Sequence, residues 1–90
     1  MENKIKKFAT ITEGMVETYK AKNKDYGDSF GLSVNKYGLI AALTRISDKF
    51  NRLENLIIKR EQNVKDESLE DTLLDLASYC IMTAIELKKE

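Results

Sequence analysis

Three carboxylates, Glu67, Asp71 and Asp75, recur at i, i+4 and i+8 late in the chain. On an α-helix that spacing stacks them along one face within about 12 Å of axial rise. Like charges so arranged repel one another, and the face has two readings. It is either a solvated surface whose first turn suits the positive end of the helix dipole, or one wall of a site that holds a cation or basic groups. Asp75 favours the second reading, because it lies two turns in, beyond the reach of the dipole, where aspartate is a poor helix former. Tyr79 and Met82 share its side of the helix, so the face is not wholly polar.

A second constellation, Arg45, Asp48, Lys49 and Arg52, follows i, i+3, i+4, i+7 and also forms one helix face. As a surface ion-pair row, each of its pairs is worth about 0–1 kcal/mol. As a binding face, Arg45, Lys49 and Arg52 hold phosphate oxygens while two or three aspartates hold Mg²⁺, which prefers oxygen ligands. A third group sits between glycines: Lys22 and Lys24 can reach phosphate, Asp25 can ligate a metal or a ribose hydroxyl, and Tyr26 or Phe30 can stack on a base. The alternative there is an ordinary polar turn anchored by two aromatics.

Helices must position these groups, since the chain has no proline and its four glycines all lie in the first half. The spacing predicts an all-α fold of three main helices. The first runs from about Asn3 to Lys22, with Ile5, Phe8, Ile11, Met15, Val16 and Tyr19 as its apolar stripe. A loop covers Asn23 to Gly31. The second helix starts near Ser33 or Asn35 and ends near Glu61, with Leu39, Leu43, Ile46, Phe50, Leu53 and Ile57 as a core seam and Ala41 and Ala42 permitting close helix approach. The third follows an N-cap at Asp66 or Ser68, its seam being Leu69, Leu73, Leu76, Ala77, Cys80, Ile81, Ala84 and Leu87. In this reading both chemistry-bearing faces point away from their own seams. They meet only if a second subunit or the first helix closes over them.

Ninety residues with 42% hydrophobic and 33% charged content describe a single domain spanning 1–90, too small for a second core and of a size that gains stability by pairing with another copy. Fifteen basic against fifteen acidic residues give no net charge, which argues against general attraction to nucleic acid or anionic membrane. The lone cysteine excludes an intramolecular disulfide, and Cys80 reads as a small core hydrophobe. With no histidine, hydrolytic chemistry would rest on carboxylates. The N-terminal residues lack the apolar run of a signal peptide and no stretch is long enough to span a membrane, so a cytoplasmic location is expected.

Taken together, Lys24-Asp25-Tyr26-Gly27, Leu43-x-Arg45-x-x-Asp48-Lys49-x-x-Arg52-Leu53 and Asp66-Glu67-Ser68-x-x-Asp71-Thr72-x-x-Asp75-Leu76-Ala77-x-Tyr79 resemble the nucleotide modification associated domain family over residues 16–87. That group is found largely in phages and bacteria and is similar to the MazG-like, all-α nucleotide pyrophosphohydrolases. The resemblance implies a helical bundle that assembles with other copies and a nucleotide site between helices. In the MazG-like enzymes, acidic residues on two helices bind Mg²⁺, and a nucleoside triphosphate is cut between the α and β phosphates. This chain departs from their Glu-x-x-Glu and Glu-x-x-Asp pattern. Asp75 matches the final aspartate, Thr72 stands three residues before it, and Asp48 is the one acidic match on the second helix.

The expectation is a nucleotide-binding, Mg²⁺-dependent nucleoside triphosphate pyrophosphohydrolase, assembled as a homodimer or homotetramer. Asp48, Asp71 and Asp75 would be metal ligands and Glu67 would orient water, making Glu67, Asp71 and Asp75 the catalytic set. Lys24, Arg45, Lys49 and Arg52 would hold phosphate, with Asp25, Tyr26 and Tyr79 completing the nucleotide site. The alternatives are a module that captures a nucleotide or nucleotide-derived signal without cutting it, and a structural helical oligomer.

Overall fold

Glycine alone sets where the first helices stop. In the computed structural model, which describes residues 2–59 and 69–88, α1 (Glu2–Tyr26) ends at Gly27 and α2 (Ser29–Tyr37) ends at Gly38. Both glycines take a left-handed backbone, with φ of 68° and 83°, a region that side chains with a Cβ avoid. The N–H of Gly27 donates to the Asn23 carbonyl at 2.8 Å and that of Gly38 to the Val34 carbonyl at 2.7 Å, satisfying carbonyls at the two helix ends. Then come α3 (Leu39–Glu54), which runs on into a π-helical turn over Asn55–Lys59, and α4 (Leu69–Leu87). The fold is all-α.

The described residues therefore form four α-helices where three main helices were expected. The supposed loop over Asn23 to Gly31 is mostly helix, because only Gly27 and Asp28 separate α1 from α2. The supposed second helix is two, since the left-handed Gly38 breaks it. The expected caps Asp66 and Ser68, and with them Glu67, lie outside the described residues.

The packing departs further from expectation. α3 and α4 run antiparallel and meet through the faces that carry charge: Lys49 pairs with Asp75, and one turn away Arg45 pairs with Tyr79. Neither a second subunit nor α1 is needed to bring these faces together. Ala42, Thr72, Phe30 and Gly31 are buried around this contact, and the small Ala42, only 1% exposed, permits the close approach.

The expected seams are left outside. Leu39, Leu43 and Phe50 on α3 are half exposed, as are Leu69, Leu73 and Leu87 on α4, and Cys80 is an exposed free thiol rather than a core residue. Each seam is rotated by about 100° in the same helical sense from the face that meets the other helix. Because the two helices are antiparallel, both seams emerge on the same side of the pair and form one continuous apolar face.

α1 is the longest element, about 37 Å at 1.5 Å per residue, close to the 38 Å length of the molecule. Ile5, Phe8, Thr12, Met15, Tyr19, Lys22 and Tyr26 follow the alternating three- and four-residue steps of a heptad seam. Its C-terminal turns face α3 and α4, whereas Ile5 and Phe8 at the other end are 68% and 72% exposed. The radius of gyration, 14.7 Å, exceeds the value of about 12 Å typical of a compact chain of this length.

Candidate functional site

Between the C-terminal half of α1, the α1–α2 turn, and the facing sides of α3 and α4 lies a cleft of about 390 Å³, within the range of small-molecule sites. Tyr79 is at its centre. The ring stacks at a tilt on Phe30, with centroids 5.7 Å apart and planes at 41°. Phe30 is itself 6% exposed and so fixes that contact. From the other side the Arg45 guanidinium lies 5.9 Å from the Tyr79 ring centroid, and its Nη1 donates to the phenol oxygen at 3.4 Å. The guanidinium is thus held at the cleft by its partner ring while keeping most of its N–H donors for other acceptors.

Each cleft carboxylate has a partner. The Lys49 ammonium donates to Asp75 Oδ2 at 3.3 Å. Asp28 Oδ1 accepts from the Gly31 N–H at 3.1 Å, making Asp28 the N-cap of α2. Glycine at 31 is what permits this cap, because a Cβ there would come within 2.7 Å of the Asp28 carboxyl carbon. Lys22 and Tyr26, one turn apart on α1, close the cleft with Thr18, Asn23 and, from α4, Ser78 and Met82.

The structure thus brings Arg45, Lys49, Asp75, Tyr79 and Tyr26 into one cleft. It does not bring in the rest. Lys24 and Asp25 are exposed and outside the lining, because α1 continues through them and turns Lys22 and Tyr26 inward instead. Asp48 and Asp71 are exposed and also lie outside it, while Arg52 is half-buried farther along the face that carries Arg45 and Lys49. Among the described residues, no three acidic or sulfur side chains are grouped to hold a metal ion. The described part of the set Asp48, Asp71 and Asp75 therefore does not fit a Mg²⁺ site, and Asp75 faces an ammonium instead. Glu67 lies outside the described residues.

Sequence reasoning missed Asp28 and Ser78 as cleft residues. Asp28 had a legible signal, an N-cap residue type directly before a helical stretch. Ser78 had none, since its position depends on how α4 is rotated against α3.

A small all-α domain with a charged and aromatic cleft between its helices is the class that this arrangement defines. The chain belongs to the nucleotide modification associated domain 1 family, whose sequence model matches residues 22–87. That span contains α2, α3 and α4 whole and every cleft residue from Lys22 onward. No significant match was found among curated proteins or among solved structures.

Proposed function

We propose that this domain binds a nucleotide in the cleft, phosphate against Lys22, Arg45 and Lys49 and base against Tyr26. The observation that carries the reading is the composition of one cleft: three cations and two carboxylates, with both carboxylates engaged by protein donors. Charge-assisted bonds from Arg and Lys are the strong contacts to phosphate, and an aromatic ring at the rim suits a base of any identity. The family description, which associates the domain with nucleotide modification, agrees with that ligand class.

Capture leads over cleavage in this reading. MazG-like pyrophosphohydrolysis requires Mg²⁺ on convergent carboxylates, and of the described candidates only Asp75 lines the cleft. The test is a panel of ribo- and deoxyribonucleotides added to the purified protein, followed by thermal unfolding and by assay for released pyrophosphate. Stabilisation by nucleotide without pyrophosphate supports capture. Pyrophosphate release that Asp75→Ala abolishes establishes the hydrolase instead, and no response to any nucleotide removes both.

The same reading includes self-association. Among the described residues only Phe30 and Ala42 are fully buried hydrophobics, and many large apolar side chains of α3 and α4 keep about half their surface in water. The apolar face of α3 and α4 is the surface through which a second copy would add to so small a core. The cleft, on the charged side of the pair, stays open in such a dimer.

A further inference from the structure

The charge arrangement in the cleft allows a narrower statement about the ligand, one that rests on the nucleotide-binding reading above. A divalent cation needs several oxygen ligands at once. Here the carboxylate best placed to supply one, Asp75, lies 3.3 Å from the Lys49 ammonium, and the other, Asp28, caps α2 through Gly31. A metal ion entering beside Asp75 would meet a like charge already in place. Among the described residues, Lys22, Arg45 and Lys49 against Asp28 and Asp75 leave the cleft one positive charge in surplus.

We infer that the cleft takes a phosphomonoester, in the form of a nucleoside monophosphate, without a divalent metal, and that Lys49 does the work of the cation. A phosphomonoester carries about −1.5 to −2 charges at pH 7 and three acceptor oxygens. An ammonium has three N–H donors, so Lys49 can keep Asp75 and still donate to a phosphate oxygen. Asp75 is then a positioning residue that holds the ammonium toward the cleft. Arg45, held by the Tyr79 ring and phenol, presents further N–H groups to the same phosphate. A triphosphate exceeds this surplus by far more than a phosphomonoester does, and enzymes that bind one recruit Mg²⁺ to its oxygens.

The experiment is isothermal titration of the full chain with inorganic phosphate, a nucleoside, the matching monophosphate and the matching triphosphate, each in excess EDTA and again in millimolar Mg²⁺. Monophosphate affinity is expected to change less than about twofold between the two conditions. In EDTA the triphosphate is expected to bind about tenfold more weakly than the monophosphate. Lys49→Met is expected to cost about tenfold or more in monophosphate affinity, in keeping with a lost charge-assisted bond, with far-UV circular dichroism unchanged. If Lys49→Met does not fold, the comparison of EDTA with Mg²⁺ on the unaltered chain still decides. Monophosphate binding that disappears in EDTA, or a triphosphate that binds tighter than the monophosphate once Mg²⁺ is present, overturns the inference and leaves nucleotide binding intact. No binding by any compound in either condition overturns both.

Discussion

On one side of the α3–α4 pair, Arg45, Lys49, Asp75 and Tyr79 are tied to one another across the helix contact, and Phe30 braces them from α2. On the other side, Leu43 at 57% and Phe50 at 50% exposure on α3, with Leu69 and Leu73 on α4, keep much of their apolar surface in water. The charged side is the organised one and the greasy side is bare, the reverse of what amphipathic helices usually do in a single chain. Polar groups held in place by their own partners suit a small polar ligand. An unburied apolar face of two helices fits a macromolecular surface of like kind. The two sides thus assign different partners to the same pair of helices.

The largest expected effect comes from attacking the bare side. Leu43→Glu combined with Phe50→Glu should convert a dimer into a monomer in light scattering after size-exclusion chromatography, each lost apolar side chain removing about 1.5–3 kcal/mol of association energy. A wild-type chain that already elutes as a monomer would break the comparison at its root. On the organised side, Tyr79→Ala removes the ring shared by Phe30 and Arg45. It should cost about 2–3 kcal/mol in urea unfolding, less than a fully buried aromatic because Tyr79 is only half-buried. If that variant changes the dimer equilibrium and leaves unfolding unaltered, the two sides are not separable as described.

Smaller effects sharpen the picture. Gly31→Ala pushes the Asp28 carboxylate off the α2 N-terminus, and loss of such a cap is worth about 1 kcal/mol, readable as a lower urea midpoint. The same change should weaken ligand binding, because Asp28 lines the cleft. Glu17→Gln breaks an i, i+3 pair with Lys20 on the solvent side of α1, in which both side chains are mostly exposed. It should shift stability by less than about 0.5 kcal/mol and leave both association and binding unchanged. A larger effect would mean that this part of α1 is covered in the assembled protein.

Much of the local structure was legible in the chain. The absence of proline, the apolar stripe of the first helix and the seams on the later ones announced an all-α fold, and Arg45, Lys49, Asp75 and Tyr79 were identifiable from their spacing. Gly27 and Gly38 were readable as breaks only in part, since glycine tolerates a helix interior, as Gly14 does within α1, and only the left-handed φ at the other two makes them stops. Asp48 and Asp71 show the limit of such reading. They share helix faces with true cleft residues in projection, but they sit at its edge, and an edge position turns toward water or toward a neighbour according to the rotation of the whole helix.

What the sequence determined by itself is therefore angular: which residues share a side of each helix, and where helices can end. Which side of α3 turns toward α4 was decided only in three dimensions. Periodicity fixes the angle of a residue about its own helix axis and carries no term for the partner across the gap. Lys49 meets Asp75, and Arg45 meets Tyr79, between segments far apart in the chain. Small residues such as Ala42 and Thr72 let those charged faces close on each other. That closure put the charged cleft inside one chain and left much of the hydrophobic seams exposed.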